Sequence, residues 1–345
     1  MDAPNLDNTT DFVAEPRLLL GKDGERLVVI VKATLSRLPR TSVMELVPQA
    51  SRRGIRAADV PWGDPEKSSI KYPSDLCLAK PGTDVIVVAA AHAPGGKAVP
   101  SFDASVRVGP LEKTIRIVGL RVWAADGTSL SAPRPTVGCE VRYDNAWGGF
   151  DGSDPQNAVE EPRNPVGTGM VRDPSTLTHK HAPTIEDPAQ LLASVRTRPP
   201  PAGLGAIGRH WAPRRAFLGT YDAGWLEQRA PLLPLDHDDR SNLCASRGLT
   251  AVPPLGGGET VTLSNLTPGG GPLSFRLPRV RLTVTLNVKG REPETLTPYL
   301  DTVLIDTLDV PETTDVLVEL VWRASFRPPR RMKDANLVIT EEELA

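Results

Sequence analysis

From Val280 to Val288 the sequence VRLTVTLNV alternates apolar and polar side chains without a fault. A two-residue period of that kind is the pattern of a strand with one face buried and the other wet. Val316, Val318, Leu320 and Trp322 place a second apolar face on the segment that ends near Arg323. LVVIVKATL (27–35), Val85 to Ala91 and Val303 to Ile305 are more uniformly apolar, which suits strands covered on both sides. Lys113 to Trp123 adds another, with Gly119 as a bend or bulge. Helical periodicity is scarce. A short helix is expected over Pro183 to Ser194, and another opens after Asp222, whose side chain suits an N-cap. Thr340 and Glu343 have capping-box spacing, although Ile339 to Ala345 is too short to hold a helix alone.

Proline reinforces this reading, because 35 prolines among 345 residues is about twice the ~5% of ordinary chains and works against long helices. The expected fold is mainly β: antiparallel, sandwich-like sheets, a long Pro/Gly-rich middle segment and few short helices. Three stretches follow, a β-rich region over 1–142, a Pro, Gly, Trp and Arg-rich segment over 143–248 packed on the sheets, and a β-rich region over 249–345. They are expected to form one integrated unit. A middle of that length without strong periodicity is unusual as a free loop, so it is expected to be ordered and to carry function.

Forty basic and forty-two acidic side chains leave a net charge of −2, so no bulk field draws the chain to nucleic acid or to anionic lipid. Three widely spaced cysteines, Cys77, Cys139 and Cys244, suit neither a disulfide framework nor a Cys-x-x-Cys metal site and fit a reducing compartment. The N-terminal residues lack a basic region followed by an apolar core, and the run Val85 to Ala91 is too short to span a bilayer. A soluble cytoplasmic protein is the expectation.

The motifs that suggest chemistry lack their partners. Gly203-Leu-Gly205-Ala-Ile-Gly208 has dinucleotide-loop spacing, yet Pro199 to Pro201 stands where the strand belongs and Pro213 where the helix belongs. Ser68-Ser-Ile-Lys71 lacks the companion motifs of penicillin-recognising enzymes. His179, His181 and His210 have no element to aim them at one metal. Asp236-His-Asp-Asp239 holds three carboxylates around one imidazole and is the best metal or acid–base candidate in the chain, but a solvated turn after Pro231 and Pro234 is the favoured reading of it. No cofactor and no metal are expected.

Two regions read as construction and as recognition. In Tyr143 to Met170 an aromatic, Trp147, precedes Gly148 and Gly149, while Asn164-Pro165-Val166-Gly167 is followed by Gly169. Glycines there permit left-handed backbone or close approach of another chain, and proline pushes Asn164 to an extended conformation. Between Asp187 and Asp222 there is no carboxylate, while Arg196, Arg198, Arg209, Arg214 and Arg215 lie there beside Trp211, Phe217, Tyr221 and Trp225. Core packing and pairing with distant carboxylates are the default for such residues. A docking face for an acidic partner is the alternative, with Arg209, Trp211, Arg214, Tyr221 and Trp225 as its anchors.

The order of the segments Tyr143-Asp-Asn-Ala-Trp-Gly-Gly149, Pro162-Arg-Asn-Pro-Val-Gly-Thr-Gly169, Trp211-Ala-Pro-Arg214, Gly219-Thr-Tyr-Asp222 and Arg229-Ala-Pro231 resembles the bacterial domain of unknown function 2169. Tyr72 to Asp75, Lys80 to Val85, Arg121 to Trp123, Leu300 to Ile305 and Leu320 to Ala324 extend the resemblance over nearly the whole chain. Trp147 departs from the family, which often has another aromatic there. The resemblance implies a non-enzymatic adaptor or chaperone that binds a secreted type VI effector protein and helps load it on the VgrG and PAAR spike proteins. It supplies no catalytic residues. A metal-dependent hydrolase centred on Asp236 to Asp239, or a structural component of the secretion apparatus, are the alternatives.

Overall fold

In a computed structural model, residues 4–37, 41–124 and 129–342 are described. The strands Leu300–Asp306, Leu317–Phe326 and Glu25–Arg37 lie side by side at the centre of a seven-stranded sheet. Thr83–Val88 and Thr250–Ala251 extend it on one side, Val13–Leu20 on the other, and Met44–Leu46 also pairs with Glu25–Arg37. The apolar runs form these strands because β-branched side chains pack well on a pleated surface covered on both sides. In Glu25–Arg37 the period of two sends Leu27, Val29, Val31, Ala33 and Leu35 into the main core, while Val28 and Ile30 meet Ile55, Leu76 and Leu78 on the opposite face.

A five-stranded sheet runs Ile185–Glu186, Leu111–Val118, Ser101–Val108, Thr260–Ser264 and Pro272–Arg276. A four-stranded sheet runs Asn5–Asn8, Ala335–Glu342, Arg281–Val288 and Glu294–Leu296. The inward faces of all three sheets share one apolar core, with Val106, Ile115 and Phe275 from the second sheet and Leu282, Val284 and Ile339 from the third. The fold is therefore mainly β with layered, mostly antiparallel sheets. Thr83–Val88 with Leu300–Asp306 and Asn5–Asn8 with Ala335–Glu342 are parallel pairs.

The middle segment enters the same core through Tyr143, Leu204, Ala206 and Trp211, and a satellite cluster of Trp123, Trp147, Leu177, Ala182 and Leu192 sits beneath it. Gly119 follows the end of Leu111–Val118, and a Cβ there would lie 1.7 Å from Arg134 O, so only glycine lets the two backbones pass. The helix expected over Pro183 to Ser194 does not form. Within Pro183 to Ser194, Ile185–Glu186 joins the edge of the five-stranded sheet by pairing with Arg116 and Ile117. Ile339 to Glu342 is strand, because Leu337 and Ile339 alternate into the core and pair on both sides; Glu343 lies outside the described residues. The helix after Asp222 forms as expected over Ala223–Gln228, with the Asp222 carboxylate accepting from Trp225 N at 2.8 Å.

Candidate functional site

Tyr143 to Gly169 folds into a tight backbone joint. Trp147–Gly148 runs parallel to Thr168–Gly169, and Asn164 crosses beneath, fully buried. Asn164 Nδ2 donates to Tyr143 O at 2.8 Å and Trp147 O at 3.0 Å, while Asn164 O accepts from the backbone of Gly149 and Gly167. One side chain thus ties together Tyr143 O, which also accepts from the backbone of Ala146, and Trp147 O. Gly148 has φ 151°, and a Cβ there would stand 2.2 Å from Asn164 O; one on Gly167 would stand 2.4 Å from Asn164 Nδ2. Gly149 and Gly169, at φ 119° and 110°, complete the turnings, and Gly169 lies against the Trp147 ring. Pro165 and Val166 face outward from this joint into a cleft.

That cleft, about 760 Å³, separates residues 57–80 from the middle segment. Phe150, 62% exposed, stands at its rim with Arg209 and His210, both exposed. Trp211 forms a wall, fixed edge-on to Tyr143 with ring centroids 5.5 Å apart. Gly203 and Gly208, part of the dinucleotide-like spacing, leave room for these two rings: a Cβ on Gly203 would lie 2.7 Å from Tyr143, and one on Gly208 2.7 Å from Trp211. Their loop is therefore an aromatic seat.

Lys80, Cys77 and Cys244 line the floor. Lys80 Nζ bonds Asp84 Oδ2 at 2.8 Å and Thr302 Oγ1 at 2.9 Å, with Cys244 Sγ 3.9 Å away. Burial works against the charged lysine, but Asp84 outweighs it and holds the ammonium above its ordinary range. Burial pushes the Cys244 thiol up to about 11 and the Cys77 thiol upward as well. At neutral pH the lysine stays charged and the thiols protonated, which are the unreactive forms of both.

Residues 49–81 are fastened to the outer face of the seven-stranded sheet by a buried ionic network. Lys32, at the centre of its strand, reaches Asp75 at 2.9 Å and Glu319 at 2.7 Å. Glu319 also accepts from Arg53 at 3.0 Å and Arg56 at 2.6 Å, and Arg53 reaches Asp306 at 2.8 Å. Burial alone would raise the Glu319 carboxyl, but Lys32 and Arg56 dominate and hold it down at about 2. The Tyr72 hydroxyl stands 2.6 Å from Asp306 Oδ2 and 2.8 Å from Asp309 Oδ2, offering its single proton to one of them at a time. The network was not anticipated from the sequence, although its signal is there: one lysine within LVVIVKATL and one glutamate within VLVELVW.

Of the five expected partner anchors, Arg209, Trp211 and Arg214 line the cleft and Tyr221 and Trp225 do not. Arg209 is exposed at the cleft. Trp211 and Arg214 are instead interior groups, 8% and 7% exposed, and Arg214 donates to Ser241 O at 2.9 Å and Ile207 O at 2.6 Å. Tyr221, 51% exposed, packs edge-on against Trp225 on the short helix, whose Nε1 donates to Leu232 O. Two of the three carboxylates of Asp236 to Asp239 are spent on turns: Asp236 accepts from Thr220, and Asp238 caps a 3-10 turn while pairing with Arg240 at 2.7 Å. His237 is buried, its Nδ1 3.0 Å from Leu218 O. Among the described residues no group of His, Cys, Asp and Glu side chains converges as a metal site, and no helix is long and apolar enough to cross a membrane.

Neither a curated protein nor a solved structure matches the chain. One family model matches residues 22–323, from the strand Glu25–Arg37 through the cleft to Leu317–Phe326. The chain belongs to the family described as uncharacterized protein conserved in bacteria (DUF2169).

Proposed function

We propose that the protein is a non-enzymatic cytoplasmic adaptor or chaperone that binds a secreted effector protein and helps load it on the VgrG and PAAR spike of a type VI secretion system. The observation that carries the reading is the cleft beside the glycine joint. It is large enough for a peptide segment, has an exposed phenylalanine and arginine at its rim, and stands on walls fixed by Asn164, the Tyr143–Trp211 ring pair and the buried ion network. A pre-formed groove with aromatic and arginine anchors favours binding, because little ordering entropy is lost on association. The charged lysine and protonated thiols on its floor suit recognition better than group transfer. The effector and spike components come from the resemblance of the family motifs.

The test is co-expression with the product of the neighbouring effector gene, followed by co-purification. Phe150→Glu together with Arg209→Glu should abolish the complex while leaving the melting midpoint of this chain within about a degree, since both side chains are exposed. An effector that is equally soluble, stable and secreted in a strain lacking this protein would refute the proposal.

A further inference from the structure

Behind the Trp211 wall the middle segment encloses a second recess of about 280 Å³. Pro200, Pro201, Ile207, Phe217, Leu243 and Ala245 line it. Four arginines, Arg163, Arg214, Arg240 and Arg247, share the lining, and among the described residues no carboxylate does. The volume is at the lower limit of small-ligand sites, ~300 Å³, and admits one large side chain but not a folded surface. Seven of its residues, from Pro200 to Phe217, fall in the stretch between Asp187 and Asp222 that carries no acidic side chain.

The arginines differ in their engagement. Arg163 is held by Glu161 at 2.6 Å, and Arg240 by Asp238 at 2.7 Å, with its guanidinium 4.2 Å above the Phe217 ring. Arg214 is bonded to two carbonyls, and Arg247 is exposed; neither has an ion-pair partner among the described residues. Directly behind Arg247, Lys113 Nζ donates to Arg247 O at 2.9 Å. Burial holds that ammonium down to about 8, with Arg247 adding to the effect and Asp187 opposing it. Lys113 lies outside the lining, so the recess itself presents two arginines without an ion-pair partner among the described residues, Arg214 and Arg247, beside an apolar wall.

We infer that this recess is a docking site for an extended acidic peptide segment, whose single bulky apolar side chain enters between Pro201, Ile207 and Phe217 while its flanking Asp and Glu side chains meet Arg247 and Arg214. Charge complementarity selects the occupant: a carboxylate beside the apolar side chain gains from the uncompensated arginines, whereas a basic segment is repelled. The apolar lining discriminates against a nucleic-acid backbone, which would meet the arginines but leave the recess empty. The inference deepens the adaptor reading by stating the chemistry of the segment that a partner would present.

The test uses the full chain and a fluorescein-labelled Gly-Glu-Asp-Phe-Asp-Glu-Gly peptide, followed by fluorescence anisotropy at low salt. Replacing the peptide's Phe by Gly should weaken binding about ten-fold, and Arg247→Glu in the protein should do the same with an unchanged melting midpoint. Raising the salt concentration should weaken the parent peptide further. Equal binding of the Phe and Gly peptides, undiminished binding to Arg247→Glu, or displacement of the peptide by an equal charge of oligo-dT would each overturn the inference. Effector co-purification that persists in Arg247→Glu alongside undiminished peptide binding would remove this site but leave the adaptor reading intact. An effector indifferent to the whole protein would remove the adaptor reading even if the peptide binds.

Discussion

Replacing Glu319 by Gln tests whether the buried network holds residues 49–81 to the sheet. Three cations, Lys32, Arg53 and Arg56, face three carboxylates, Asp75, Asp306 and Glu319, and the substitution leaves an uncompensated positive charge away from water. Breaking a buried pair by removing one partner costs about 3–5 kcal/mol. The depression of the Glu319 carboxyl from 4.5 to about 2 gives an independent figure of roughly 3 kcal/mol, at about 1.4 kcal/mol per pH unit. With about 2–4 °C of melting shift per kcal/mol in large domains, Glu319→Gln should lower the midpoint by roughly 6–12 °C at pH 7. Because the carboxyl's folded value is depressed, its contribution is complete above the unfolded value of 4.5 and disappears as pH falls toward about 2. The deficit of the variant should therefore shrink through that window, as followed by circular dichroism melts. The double variant Lys32→Met with Glu319→Leu removes one charge of each sign and should recover most of the loss. A midpoint within about two degrees of the parent at pH 7, or a deficit that stays constant on acidification, would refute the electrostatic account.

The remaining predictions concern the joint, the short helix and the cleft floor. Asn164→Ala removes the donor to two buried carbonyls and should cost about 2–4 kcal/mol in urea unfolding. Gly148→Val meets Asn164 O at 2.2 Å and should abolish soluble expression, whereas Gly205→Ala, whose Cβ has only Val87 O at 3.8 Å, should express normally; a soluble, fully folded Gly148→Val would contradict the close approach. Asp222→Ala removes the cap of a six-residue helix and should speed amide exchange at Trp225 by an amount matching about 1 kcal/mol, with little change in global stability. Cys244 should resist iodoacetamide at pH 7 until the chain unfolds, since burial holds its thiol at about 11; rapid native-state labelling would show an open floor.

The strands were legible where side-chain period and burial agree. Arg281–Val288 follows the alternation of its sequence, and Glu25–Arg37 and Leu300–Asp306 follow their apolar runs. The Asp222 cap was legible because capping is a local interaction. Capping-box spacing at Thr340 makes no helix, in keeping with the shortness of that segment, because Leu337 and Ile339 gain more from a shared core than a short isolated helix gains from its cap. Ile185–Glu186 was hidden because its partner strand lies about seventy residues earlier. At the site, the glycines and Asn164 announced a backbone device, but nothing local shows that Trp211 and Arg214 turn inward: that depends on Tyr143 and on the carbonyls of Ile207 and Ser241. Lys32 and Glu319 look like ordinary hydrophilic interruptions until the strand order sets them side by side.

The order of strands in the seven-stranded sheet also fixes when this protein can exist during synthesis. Glu25–Arg37 emerges from the ribosome before the strand that covers its inner edge, which begins at Leu317, some 280 residues after Arg37. At ~5–20 residues per second that is roughly 15–55 s with Lys32 lacking Glu319 and a long apolar edge unpaired. Nascent chains released at any point before Phe326 therefore carry an exposed template for aggregation. Until Leu317–Phe326 is made, this chain therefore needs shelter of its own.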